Sequence, residues 1–162
     1  MELVLDSTPL IHLTRINAWQ YLEEFRLLTT TQAVSELKLD ETNYPETKAI
    51  QRMIETKRLE VMKAKRCTAP GGGLSEADAS VILLAKERGA VAVTDDQAAI
   101  ALARALEAKT AHSSSLLIHA ARKKRVTKAK ALRLLDALVA SGWHCDIRTY
   151  TSVRNAINAA PG

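Results

Sequence analysis

Leu3-Val4-Leu5-Asp6-Ser7-Thr8-Pro9-Leu10-Ile11-His12-Leu13 opens the chain with a short apolar run, an acid, and then a proline followed by apolar residues at helical spacing. Aliphatic residues stopped by a carboxylate read as a short buried strand, and Pro9 suits the first turn of a helix. The same alternation recurs along the chain. Leu27-Leu28-Thr29-Thr30 is a second strand, and Thr30 or Thr31 can cap a helix bearing Ala33, Val34 and Leu37. Leu59-Glu60-Val61-Met62 is a third, Val91-Ala92-Val93-Thr94 a fourth bounded by Asp95-Asp96, and Lys109 to Ala111 a short fifth. Helices are expected over Trp19 to Phe25, Glu46 to Lys57, Ser75 to Arg88 and Gln97 to Ala108. Further helices are expected from Ser113, from Thr127 to the stop at Gly142 with Leu132, Leu135, Leu138 and Val139 on one face, and from about Thr151. Strands alternating with helices at this spacing predict an α/β chain of parallel β-α-β units with helices on both faces.

A chain of 162 residues suits one core, so residues 1–162 are expected to form a single domain with a basic helical part from about 113 to 162. Aromatics at 4% favour helices on an aliphatic sheet over an aromatic sandwich. The net charge of +5 is uneven: residues 1–95 carry 12 basic and 14 acidic side chains, residues 96–162 carry 11 and 4. A neutral half is thus joined to a strongly basic half that suits an anionic partner.

Several classes are disfavoured. Cys67 and Cys145 have no metal or disulfide-framework spacing and read as two reduced thiols. Pro70-Gly71-Gly72-Gly73 lacks the Gly-Lys-Ser/Thr ending of a phosphate loop. No two histidines stand four residues apart, and Thr8 occupies the position where an Asp-x-Asp phosphatase needs its second acid. The opening lacks a basic signal-peptide region, and no run of about 18 apolar residues occurs, so a cytoplasmic protein without a membrane span is expected.

In a parallel sheet the carboxyl ends of the strands and the helix starts that follow them share one edge, where such folds bind ligands. Asp6 ends the first strand, Asp95 and Asp96 end the fourth, Glu36 lies in the helix after the second, and Asp78 begins the helix before the fourth. Asp78 also shares the stripe of Val81, Ile82 and Ala85, where an ionised carboxylate is costly without a partner. Singly, each acid has an ordinary reading: Asp6 in a turn, Glu36 on a solvated face, Asp78 capping its helix with Ser75, one of Asp95 and Asp96 an N-cap. Together they are harder to explain. Two charges about 4 Å apart repel by about 4 kcal/mol at an effective dielectric near 20, so converging carboxylates need a cation. Mg²⁺ or Mn²⁺ suits all-oxygen ligands and supports phosphodiester hydrolysis, with hydroxyls of Ser7, Thr94 and Ser113 orienting ligands or water.

These segments resemble the motifs of PIN-domain nucleases in order and spacing over residues 3–118. The opening stretch resembles the first-acid motif, Ala33-Val34-Ser35-Glu36-Leu37 the second, Leu74-Ser75-Glu76-Ala77-Asp78-Ala79 with Val81 to Ala85 the third, and Ala92-Val93-Thr94-Asp95-Asp96 the fourth. The basic tail resembles a bacterial and archaeal subgroup related to VapC-type toxins, although His112-Ser113 stands where those relatives often have Gly-Thr. The resemblance implies a three-layer α/β/α sandwich around a mostly parallel central sheet. It implies catalytic, metal-binding acids Asp6, Glu36, Asp78 and Asp95, with Asp96 contributing to the metal. It also implies metal-dependent cleavage of RNA by a dimeric toxin silenced by a cognate antitoxin.

Arg122, Lys123, Lys124, Arg125, Lys128 and Lys130 form an acid-free basic run. Such a run is commonly a solvated face; in a nuclease it would track the RNA backbone, and the scarcity of aromatics argues against base-specific stacking. The competing expectation is a degenerate PIN domain that binds RNA or protein without cutting.

Overall fold

The computed structural model describes residues 1–40, 43–65 and 73–162. Its strands are β1 (Glu2–Leu5), β2 (Arg26–Thr30), β3 (Leu59–Met62), β4 (Val91–Val93) and β5 (Lys109–Ala111), and its helices are α1 (Ser7–Arg15), α2 (Thr31–Leu37), α3 (Pro45–Glu55), α4 (Glu76–Arg88), α5 (Gln97–Ala105), α6 (Ser113–Arg122), α7 (Lys128–Ala140) and α8 (Ile147–Asn158). The strands form one sheet in the order β3-β2-β1-β4-β5, and every pairing is parallel. This is the central sheet of an α/β/α sandwich, as expected, and wholly parallel.

The absence of alternation in the strands has a cause in this packing. Val4 is in register with Leu28 on one side and Ala92 on the other, and this row packs against Ala33 of α2, Ala79, Val81 and Ile82 of α4, and Ala99 and Ala103 of α5. Leu3, Leu5, Leu27 and Val93 point the other way and are buried too, so both faces are covered and the strands read as unbroken apolar runs. Replacing Leu28 with Ala is expected to cost about 2–5 kcal/mol, read from the urea midpoint, because the site is sealed on every side. At the amino edge of the sheet Arg26 bonds both Glu2 and Glu60, and Arg88 grips Glu2 with two nitrogens. These exposed pairs fix the register of β1, β2 and β3 more than they stabilise the fold.

The chain divides into two compact units, residues 1–11 with 24–111, and residues 12–23 with 112–162. The first holds the sheet with α2 to α5. In the second, α6, α7 and α8 pack pairwise around Leu117, Leu135, Leu138, Trp143 and Ile157. There His12 Nδ1 meets Ser141 Oγ at 2.9 Å, and Tyr150 donates to Asp136 Oδ1, joining α8 to α7.

Three local expectations change. Trp19 to Phe25 is not a helix: only Trp19–Tyr21 forms a 3-10 turn, and Leu22 and Phe25 are buried beyond it. The buried stripe of α7 is Ala131, Leu134, Leu135 and Leu138, and Val139 is exposed. The last helix starts at Ile147, since Asp146 Oδ1 accepts from Thr149 N and caps it. Cys145 is a free thiol, while Cys67 and the run Thr68 to Gly72 lie outside the described residues. Among the described residues no helix is long and apolar enough to cross a membrane.

Candidate active site

β1 and β4 lie side by side although β2, β3 and α4 separate them in sequence, and the connections leave them in opposite directions. That is the switch point at which open parallel sheets bind ligands, and Asp6 stands there, one residue beyond β1. Its backbone N donates to Val93 O at 3.1 Å, locking it against the end of β4. Its side chain is 3% exposed. Oδ1 accepts from Ser7 N at 2.7 Å and Oδ2 accepts from Thr94 Oγ1 at 3.1 Å.

A second acid acts on this residue, and a third reaches Ser7 beside it. The carboxyl group of Asp78 stands close enough for its charge to act on that of Asp6. Burial above all, and then the Asp78 charge, push the Asp6 carboxyl up to about 7, although the Ser7 and Thr94 hydrogen bonds pull it down. Glu36, at the exposed end of α2, accepts from Ser7 Oγ at 2.9 Å through Oε2. Ser7 therefore spans the pair, its backbone N on Asp6 and its hydroxyl on Glu36.

A PIN domain family model, DUF3368, matches residues 2–159. The chain belongs to the PIN domain family. PIN domains are generally nucleases, and they generally use divalent metals. Among solved structures, a PilT N-terminus domain protein from the hyperthermophilic archaeon Sulfolobus solfataricus P2 is similar, with a TM-score of 0.53 and 20% identity over 74% of this chain and 93% of that one. At that identity the likeness speaks for the fold alone. No curated protein matches.

In this PIN domain the other acids have mixed duties. Asp78 faces Asp6 and also closes a capping box: Ser75 N donates to Asp78 Oδ2 at 3.1 Å while Asp78 N donates to Ser75 Oγ at 3.0 Å. By helical phase it shares the face of Val81, Ile82 and Ala85, all fully buried, opposite the more exposed Glu76, Leu83 and Glu87, and at the start of the helix it is itself half-buried. Asp96 is the N-cap of α5, with Oδ1 accepting from Ala99 N at 2.8 Å, and its own N donates to Thr94 Oγ1. Asp95 sits half-buried between Thr94 and Asp96. Ser113 is fully buried at the start of α6, in the second unit. Arg122, Lys123, Lys124 and Arg125 are exposed around the α6–α7 turn, and Lys128 Nζ donates to Asn158 O.

The residues present suit a hard divalent cation. Asp6 and Asp78 are paired oxygen donors whose mutual repulsion favours a proton, and such cations need only one or two carboxylates when they keep their waters. Among the described residues no group of three or more His, Cys, Asp or Glu is arranged to hold a metal ion.

Proposed function

We propose that this PIN domain is a Mg²⁺- or Mn²⁺-dependent endoribonuclease, with Asp6, Glu36, Asp78 and Asp95 as its acids. The observation that carries the reading is the buried Asp6 carboxyl facing the half-buried Asp78 at the switch point, an arrangement that costs stability unless a cation or a proton resolves it. Asp6 and Asp78 hold the metal, Thr94 and Ser7 fix the Asp6 carboxylate, and Ser7 keeps Glu36 close. Asp96 contributes through the Thr94 hydroxyl, to which its backbone N donates. A divalent cation there supplies charge neutralisation and water activation for phosphodiester hydrolysis.

The cations of the α6–α7 turn bind the RNA backbone without regard to sequence. Replacing Arg122, Lys123, Lys124 and Arg125 together by Gln is expected to weaken RNA binding and to flatten its salt dependence. The slope of log affinity against log salt should fall by about 0.7 for each phosphate that is no longer neutralised, measured by fluorescence anisotropy. The reading takes residues 1–162 as one working domain in the cytoplasm, acting as a homodimeric toxin held in check by an antitoxin. Its support is the likeness of the motifs and basic tail to VapC-type toxins. Expression alone is expected to arrest growth, and co-expression of a cognate antitoxin to restore it.

One observation favours a second reading: with no three-acid group among the described residues, a non-catalytic RNA- or protein-binding module would need no metal. Incubation of the full chain with single-stranded RNA separates the two. Cleavage that requires Mg²⁺ or Mn²⁺ and stops with EDTA supports the nuclease, whereas binding without divalent-dependent cleavage supports the module.

A further inference from the structure

Beneath the acids, two hydroxyls meet inside the aliphatic core. Thr30 Oγ1 and Ser80 Oγ are 2.7 Å apart, and both residues are buried. The direction of each bond follows from its partners. Ser80 Oγ donates to Ala77 O at 2.6 Å, and Thr30 Oγ1 accepts from Ala33 N at 3.1 Å as the N-cap of α2. With the Ser80 proton on Ala77 O, the Thr30 hydroxyl must donate to Ser80. A single directed chain then runs from Ala33 N–H through Thr30 and Ser80 to the Ala77 carbonyl, from the first turn of α2 to the first turn of α4.

Both ends bear on the proposed acids. Ala33 stands one turn before Glu36, and Ala77 and Ser80 bracket Asp78. Thr30 is 0% and Ser80 2% exposed, so breaking their bond leaves a buried hydroxyl unpaired. An apolar side chain at position 30 also removes the N-cap of α2, so the effect peculiar to the hydroxyl pair is read from Ser80→Ala beside it. Thr29 continues the bracing, with Oγ1 donating to Leu5 O at 2.8 Å beside Asp6.

We propose that Thr30 and Ser80 are positioning residues whose hydrogen bond fixes the helix carrying Glu36 against the helix carrying Asp78, and so sets the spacing of these two acids. The proposal rests on the reading that both acids serve one site. Neither residue touches the reacting groups, and neither belongs to a sequence motif of the site.

The test uses the full chain with Cys67→Ser and Cys145→Ser, spin-labelled at Ser35→Cys on α2 and Glu87→Cys on α4, both exposed positions. Electron–electron double resonance reads the distance between the helices, and calorimetry reads Mn²⁺ affinity. Thr30→Val and Ser80→Ala are expected to shift or broaden the distance distribution and to weaken Mn²⁺ binding about 10–100-fold, the usual effect of losing a group that orients a ligand. Thr30→Ser, which keeps the hydroxyl, is expected to match the parent in both. An unchanged distance distribution in folded Thr30→Val overturns the proposal, and Ser80→Ala decides the matter if Thr30→Val does not fold. If the parent binds Mn²⁺ no better than its Asp6→Asn variant, the metal reading fails, while the distance distribution still decides the positioning.

Discussion

Asp6→Asn is expected to lower divalent-dependent RNA cleavage by at least about 10²-fold while the protein stays folded, measured as single-turnover cleavage of labelled RNA with Mn²⁺ in excess. The size is that of losing one preorganised electrostatic group at a reacting centre. The fold should survive because the Asn side chain keeps an oxygen for Ser7 N and places a neutral amide beside Asp78 where a second carboxylate stood. Asp78→Asn should reduce cleavage similarly. Its remaining oxygen can still accept from Ser75 N, so the start of α4 is retained and the loss falls on chemistry. Cleavage by Asp6→Asn at the parent rate would remove Asp6 from the mechanism.

The second large effect is on stability, and its sign is fixed by Asp6. The folded carboxyl titrates at about 7 against an ordinary value of 3.8, so between those values the folded protein holds a proton that the unfolded chain has released. Stability is therefore fully present below about pH 4 and is lost as pH rises through about 7. The ceiling is about 4 kcal/mol, and each kcal/mol moves the melting temperature of a chain this size by about 2–4 °C. In EDTA the parent is expected to melt lower at pH 8 than at pH 5, and Asp6→Asn to lose most of that slope. Mn²⁺ should reverse the order by replacing the proton, stabilising the parent more at pH 8 than at pH 5. A parent and variant with parallel melting profiles in EDTA would mean that Asp6 is ionised throughout.

Much of this site is legible before any coordinates. Asp6 and Asp95 are visible because a buried strand tolerates no carboxylate and so must end where one appears. Thr30 announces α2, and Ser75 with Asp78 announces α4, because caps are local rules between residues three apart. The hydrogen bonds that make the acids a site are not local. Ser7 to Glu36 spans 29 positions and Thr94 to Asp6 spans 88, and both depend on β1 lying between β2 and β4, a consequence of the crossover through α4. The phase of α4 does place Asp78 on the face of the buried Val81, Ile82 and Ala85, but it does not say which residue that face meets. Ser80 is invisible within Ala79-Ser80-Val81-Ile82, where its only signal is one small hydroxyl in a wholly buried segment. Asp146 does not announce itself as a cap because no strongly apolar run follows it.

Asp6 and Asp78 together are expected to hold one divalent cation. Isothermal titration of Mn²⁺ into the full chain at pH 8, alongside Asp6→Asn and Asp78→Asn, addresses that directly. The account predicts saturable binding to the parent that either substitution weakens at least about tenfold. Equal Mn²⁺ affinity in all three proteins would contradict it.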